Sequence, residues 1–188
     1  METNSQLSSL EEQIREYYGR VVWTHKTHEK QADIYKGRNE VLKWSQIIVS
    51  AFIASGIFVT IFKSAPIVPI LTGILSVFQF VLSAYAKTSD FGEVSQLHAK
   101  TAIEIWNVRE LLLSILIDMK DNRVSLNEAQ TMRDDIHKLL YCIYEKAPRT
   151  SVRAYNKATK ALKDAEEMYF SPEEIDSLLP STLRRKMP

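Results

Sequence analysis

Two uncharged stretches separated by three residues constrain this chain more than any other feature. Trp44–Phe62 is 19 residues long and Pro66–Ala86 is 21, with Lys63-Ser64-Ala65 between them. At ~1.5 Å per residue, helices of these lengths would measure ~28 and ~31 Å, which matches the ~30 Å hydrocarbon core of a bilayer. Lipid offers no partner to a free N–H or C=O, so segments of this kind must be helical. The short connection makes the two helices antiparallel. Pro66 and Pro69 fall in the first turn of the second helix, where a missing N–H costs little.

The bulk averages hide this pattern. Mean hydropathy is −0.17 and a quarter of the 188 residues are charged. Lys63, however, is the one charge in the 43 positions from Trp44 to Ala86. The rest of the chain is too small to wrap both apolar helices, so they are expected to lie in a membrane. The fold class that follows is an all-α membrane protein: a two-helix transmembrane hairpin with a cytoplasmic helical bundle. Its expected divisions are an N-terminal cytoplasmic helix (1–43), the hairpin (44–86), a helix following the membrane (87–120) and a C-terminal helical extension (121–188).

No short apolar signal core precedes the first stretch, which should therefore act as an uncleaved anchor. Lys30, Lys36, Arg38 and Lys43 precede the hairpin and Lys87 and Lys100 follow it, against Lys63 alone in the turn. Cation placement of this kind puts both termini in the cytoplasm, with Trp44 and Tyr85 at that membrane face. A net charge of +1 sets up no global field for nucleic acid or acidic partners.

The second apolar stretch has two faces. Thr72, Ser76, Gln79 and Ser83 lie within about 60° on a helical wheel. Ile67, Ile70, Ile74, Phe78, Val81 and Tyr85 lie opposite. In the first stretch Gln46, Ser50 and Thr60 roughly align, while Ser55 points away. Two roles fit such a stripe. Small and hydroxylated residues let helices pack closely, or the stripe lines a water-filled path. Either role implies self-association, because two helices from one chain cannot enclose a pore. Gln79 in mid-membrane needs a partner or water in both cases.

Outside the hairpin, Ser9, Ser125 and Ser171 each stand three residues before a Glu, the capping-box spacing that opens helices. They predict a helix from Ser9 toward the membrane with a break near Gly37, one from Ser125 to Lys146, and a short one after Ser171. Asp90 is placed to cap a helix reaching Met119, and another should run from Pro148 to Tyr169. Arg149, Arg153, Lys157 and Lys160 share about 80° of that last wheel, with Lys146 just before. Tyr155, Ala158, Leu162, Ala165 and Tyr169 form its other face. The basic face is either solvated or turned to anionic headgroups or an acidic partner. It lacks interleaved aromatics, which argues against direct nucleic-acid binding. The terminal Arg184-Arg185-Lys186 either adds to a headgroup contact or is a disordered tail.

Catalytic patterns are missing. There is no Gly-rich phosphate loop, no G-x-S-x-G and no Cys-x-x-Cys. His25 and His28 stand at i, i+3 without a third ligand in view, and His98 and His137 are isolated. Neither enzyme activity nor a cofactor or metal is expected. Cys142, in an apolar run, reads as a small core residue.

The run Tyr18-Gly19-Arg20-Val21-Val22-Trp23-Thr24-His25-Lys26-Thr27-His28-Glu29 leads straight into the hairpin. Tyr85-Ala86-Lys87 and an Ala102–Glu110 stretch with Trp106 and Arg109 follow. Over Leu10–Ile117 these features resemble the SLATT family of bacterial two-transmembrane effectors; the part beyond Ser125 reads as a subgroup extension. The resemblance implies a bacterial inner-membrane, multi-pass protein of an antiphage or conflict system. It also implies a homo-oligomeric, pore-forming role, with a nucleotide second messenger or a reverse transcriptase as partner. No catalytic residue is carried over. The other reading of the residues is a membrane anchor or scaffold whose helical body recruits a cytoplasmic partner.

Overall fold

The computed structural model describes residues 2–62 and 66–185, with side chains described from residue 6 on, apart from residue 62. The expected turn at 63–65 and the last residue of the basic tail lie outside these. Among the described residues there are six helices: α1 (Glu2–Phe62), α2 (Ile67–Ser89), α3 (Phe91–Lys120), α4 (Leu126–Lys146), α5 (Val152–Lys163) and α6 (Pro172–Leu178).

The first helix is one uninterrupted rod of 61 residues, ~92 Å long at the helical rise. Neither of its expected irregularities exists. Ser9 is not a cap, because the helix has already begun at Glu2, and Gly37 makes no break. A glycine in mid-helix costs up to ~1 kcal/mol, and the packing of α1 on both sides of Gly37 outweighs that. Downstream, Pro66 stands as the N-cap of α2 with Pro69 in its first turn.

Helices α2 and α3 are joined through one residue. Asp90 takes the left-handed conformation (φ 30°, ψ 55°) and serves both helices. Its N–H donates to Ala86 O at 3.2 Å and its carboxylate accepts from Glu93 N at 3.0 Å. Asp tolerates this region better than most residues because its short side chain bonds locally. The α2–α3 segment therefore runs back along α1, and the α1–α3 interface is the most extensive among the described helices.

That interface is built on a 3-4 repeat. Buried His98, Thr101, Ile105, Val108, Leu112, Ile115 and Met119 recur along α3, and Leu10, Ile14, Val21, His25 and His28 along α1. This is the spacing of a left-handed two-helix seam. Ala129, Ile136, Leu140 and Ile143 of α4 close it into a three-helix core. Fully burying each Leu or Ile contributes roughly 1.5–3 kcal/mol. The Ser125–Glu128 capping box opens α4 and the Ser171–Glu174 box opens α6.

Three expectations about the body are corrected. Helix α5 ends at Lys163, not Tyr169, and Glu166 just beyond has a φ of 48°. It packs through Ala154, Ala158 and Ala161, whereas Tyr155 and Tyr169 are exposed. Cys142 is exposed on α4, because the core stripe of that helix passes through Leu140 and Ile143 instead. The tail folds back: Arg184 Nε donates to Leu179 O at 2.9 Å and Arg185 N to Asp176 Oδ2 at 3.2 Å.

Candidate functional site

The apolar parts of α1 and α2 are long enough to cross a membrane, and none of either stretch is buried inside the protein. Ile67, Ile70, Ile74, Phe78, Val81 and Tyr85 are all exposed. This is the lipid face that the helical wheel places there.

The two spans meet along a second 3-4 seam. Leu42, Gln46, Val49, Ile53 and Gly56 of α1 are half-buried, as are Val68, Thr72, Leu75, Gln79 and Leu82 of α2. Gly56 is required by close approach, since a Cβ there would run into Thr72 Oγ1. Of the polar stripe, Thr72 and Gln79 sit in the seam, while Ser76 and Ser83 stand exposed at its edge. On α1, Gln46 is in the seam and Ser50 is exposed.

The hydrogen bonding of the stripe is uneven. Thr72 Oγ1 donates to Val68 O and Ser76 Oγ to Thr72 O, both at 2.9 Å, so these hydroxyls are satisfied by their own helix. Gln46 Nε2 reaches Ser83 Oγ only at 3.5 Å, the outer limit of such a bond. Gln79 Oε1 is buried with no partner among the described residues. An unpaired amide oxygen in an apolar setting costs on the order of 2 kcal/mol or more.

Within the body, three histidine nitrogens are organised across the α1–α3 interface. His25 Nδ1 lies 2.9 Å from Ala102 O, and the Nδ1 atoms of His28 and His98 are 3.0 Å apart. One of that pair donates and the other accepts, so the accepting Nδ1 carries no proton. Burial, then the proximity of His98 and His25, pushes His28 down to about 4, and burial also lowers His98. Tyr35 stacks on His98 with ring centroids 5.7 Å apart, and Phe91 lies on Tyr35 at 5.9 Å. Among the described residues no three potential ligands gather for a metal. The isolation expected of His98 is thus corrected. Its partner is on another helix, and the clue was register: His28 and His98 both continue the core stripes of their helices.

Beside the histidines, Glu167 reaches α1 from the segment after α5. It accepts from Lys26 and Lys30, each at 2.9 Å, and these donors hold its carboxyl below the usual range. Burial opposes the charge on Lys26, but hydrogen bonds to Glu29 and Glu167 outweigh it and raise its pKa. Lys26, Lys30, Trp106, Arg109 and Glu167 border an open cleft of about 850 Å³.

The basic residues divide. Arg153 and Lys157 face a groove shared with Arg38 of α1, while Lys146, Arg149 and Lys160 are exposed outside it. Among the described residues none of these six cations has a carboxylate partner.

Two apolar helices unburied by their own chain, anchored in a helical body, define a two-span integral membrane protein. The chain belongs to the SMODS and SLOG-associating 2TM effector domain family 4, whose model matches residues 10–174. The match runs past Ile117 through α4 and α5. No curated protein and no solved structure matches the chain.

Proposed function

We propose that this chain is the membrane effector of a bacterial conflict system, whose hairpins assemble into a homo-oligomer and open a gated path across the inner membrane. The observation that supports this most is the unpartnered Gln79 oxygen in the hairpin seam. A hairpin evolved only to anchor would fill that position with an apolar side chain at no cost. In an assembly, rotation of α2 would bring Gln79, Ser76 and Ser83 to water or to a neighbouring copy. The lipid face keeps the outside of the assembly dry, and the body carries the signal that opens it. Both termini lie in the cytoplasm in this reading, and the chain acts by permeability and not by catalysis. The signal is a nucleotide second messenger or a partner such as a reverse transcriptase.

Ion flux from liposomes carrying the full chain tests the proposal. Flux should appear under activating expression partners and fall at least several-fold in Gln79→Leu. A demonstrated oligomer that passes no ions, in cells whose membrane potential survives induction, would favour an anchor or scaffold instead.

A further inference from the structure

The groove between α1 and α5 is built across the membrane boundary. Its volume is about 560 Å³, and its lining joins apolar Val41, Leu42 and Tyr85, next to the spans in sequence, to the cations Arg38, Arg153 and Lys157. The apolar part of the lining is continuous with the lipid face of the spans, since Val41, Trp44 and Tyr85 are all exposed.

The orientation of α5 produces this arrangement. Its small residues Ala154, Ala158 and Ala161 are buried, and its N-terminus is tied to α1 where Ser151 N donates to Gln31 Oε1 at 2.9 Å. On one side of α5, Arg153 and Lys157 reach the level of Arg38 and Val41. On the other, the Tyr155 ring lies 5.9 Å from Trp23 and Lys163 Nζ sits 5.6 Å over the same Trp. Trp23 precedes Arg38 by 15 residues, or ~22 Å of helix. Helix α5 therefore lies across α1 with one basic edge turned to the spans.

Charge in the groove is unbalanced. Asp33 is the one carboxylate among its lining residues, against three cations. Arg38 is fixed, with its guanidinium 5.6 Å over the Tyr35 ring and 5.9 Å over Phe91, contacts that favour a cation without neutralising it. The carboxylate of neighbouring Glu40 faces Lys43 at 3.6 Å. Elsewhere on the body, cations such as Arg15, Arg20, Lys26, Lys30 and Arg133 have acidic partners.

We infer that this groove binds an anionic phospholipid of the leaflet on the body's side. The phosphate sits among Arg38, Arg153 and Lys157, and the acyl chains run down past Val41 and Tyr85 onto the hairpin. An amphipathic helix laid in the interfacial plane with cations toward the headgroups is a recognised membrane contact. Basic side chains beside a span draw anionic lipid by the same attraction. A bound lipid would tie α5 to the base of the spans, so the body would respond to the charge of the leaflet. Whether the hairpins conduct does not enter this inference.

The test uses the full chain in a mild non-ionic detergent, delipidated and titrated separately with phosphatidylglycerol and phosphatidylcholine, with bound lipid counted by native mass spectrometry. The chain should retain phosphatidylglycerol preferentially. Affinity should fall roughly fivefold for each cation removed in Arg153→Gln and Lys157→Gln, which alter exposed side chains. The control pair Lys100→Gln and Lys120→Gln, off the groove, should leave it unchanged. Equal retention of the two lipids would overturn the inference, as would equal losses in groove and control variants. So would displacement of the lipid by inorganic phosphate or by a polyglutamate peptide at matching concentration, which would mark a free-anion or acidic-protein site.

Discussion

His28 and His98, 70 positions apart in the chain, face each other across the α1–α3 interface with their Nδ1 atoms 3.0 Å apart. The pair has a definite sign of pH dependence. The His28 pKa is lowered from its ordinary 6.5 to about 4, so below pH 6.5 the unfolded chain takes up a proton that the folded chain refuses. Stability is then full above pH 6.5 and is lost as pH falls toward 4. The loss contributed by His28 should approach about 3 kcal/mol. Melting of the detergent-solubilised chain from pH 8 to pH 4 checks this. His28→Gln should flatten the acid limb, and an unchanged limb would remove the pair from the account.

Gly56 lies so close to Thr72 on the other span that a Cβ there would run into Thr72 Oγ1. Gly56→Val should push against Thr72 and cost about 1–3 kcal/mol. Thr72→Ala should recover part of that cost. A double-mutant cycle read by thermal unfolding measures the coupling; strictly additive losses would mean that the two residues do not meet.

Gln79→Leu should have opposite effects on two readouts. Removing an unpartnered buried amide should stabilise the isolated hairpin by about 1–3 kcal/mol. The same change should depress ion flux if the residue turns to water in the assembly. Measuring stability and flux on one preparation separates a packing role from a wet one.

Glu167 ties the segment after α5 to Lys26 and Lys30. Because the pair is partly exposed, Glu167→Gln should change global stability by no more than about 1 kcal/mol. It should instead raise hydrogen exchange locally, around residues 164–171, and leave the α1–α3 core protected. Raised exchange throughout α3 would show the contact to be structural for the whole body.

Cys142 provides a simple check on the register of α4. Being exposed, it should react with a maleimide in the folded, solubilised chain about as fast as in denaturant. Protection by orders of magnitude would rotate α4 relative to the core.

The spans and their lipid face were legible because lipid imposes a one-to-one rule between an uncharged run of ~20 residues and a helix. Ser125 and Ser171 were legible for a similarly local reason, since a capping box is complete within four residues. Ser9 has the same pattern and caps nothing, because tertiary packing carries α1 upstream of it. The helical wheel found the polar side of α2 but could not separate Thr72 and Gln79, in the seam, from Ser76 and Ser83 at its edge. That distinction depends on where α1 lies. His28–His98, Lys26–Glu167 and the Arg38–Arg153–Lys157 groove are all long-range. The first two pairs are 70 and 141 residues apart, and Arg38 is more than 100 residues from Arg153 and Lys157, so nothing local announces such a meeting. Cys142 was misplaced because an apolar neighbourhood in sequence is not a face: Leu140 and Ile143 are buried, and Tyr141 and Cys142 between them are exposed.

The two strands of the molecule that link body to bilayer differ in stiffness. On one side α1 passes from Leu10 to Ile61 without a joint; on the other, α2 and α3 articulate at Asp90 alone. A push on the body is thus delivered to the first span as through a rigid shaft, with rotation and tilt intact. The second span is coupled through a single pivot that can absorb part of the same movement. Any displacement of the body therefore becomes a difference in motion between the two spans, a shear along the seam where Gly56 meets Thr72 and where Gln79 waits without a partner.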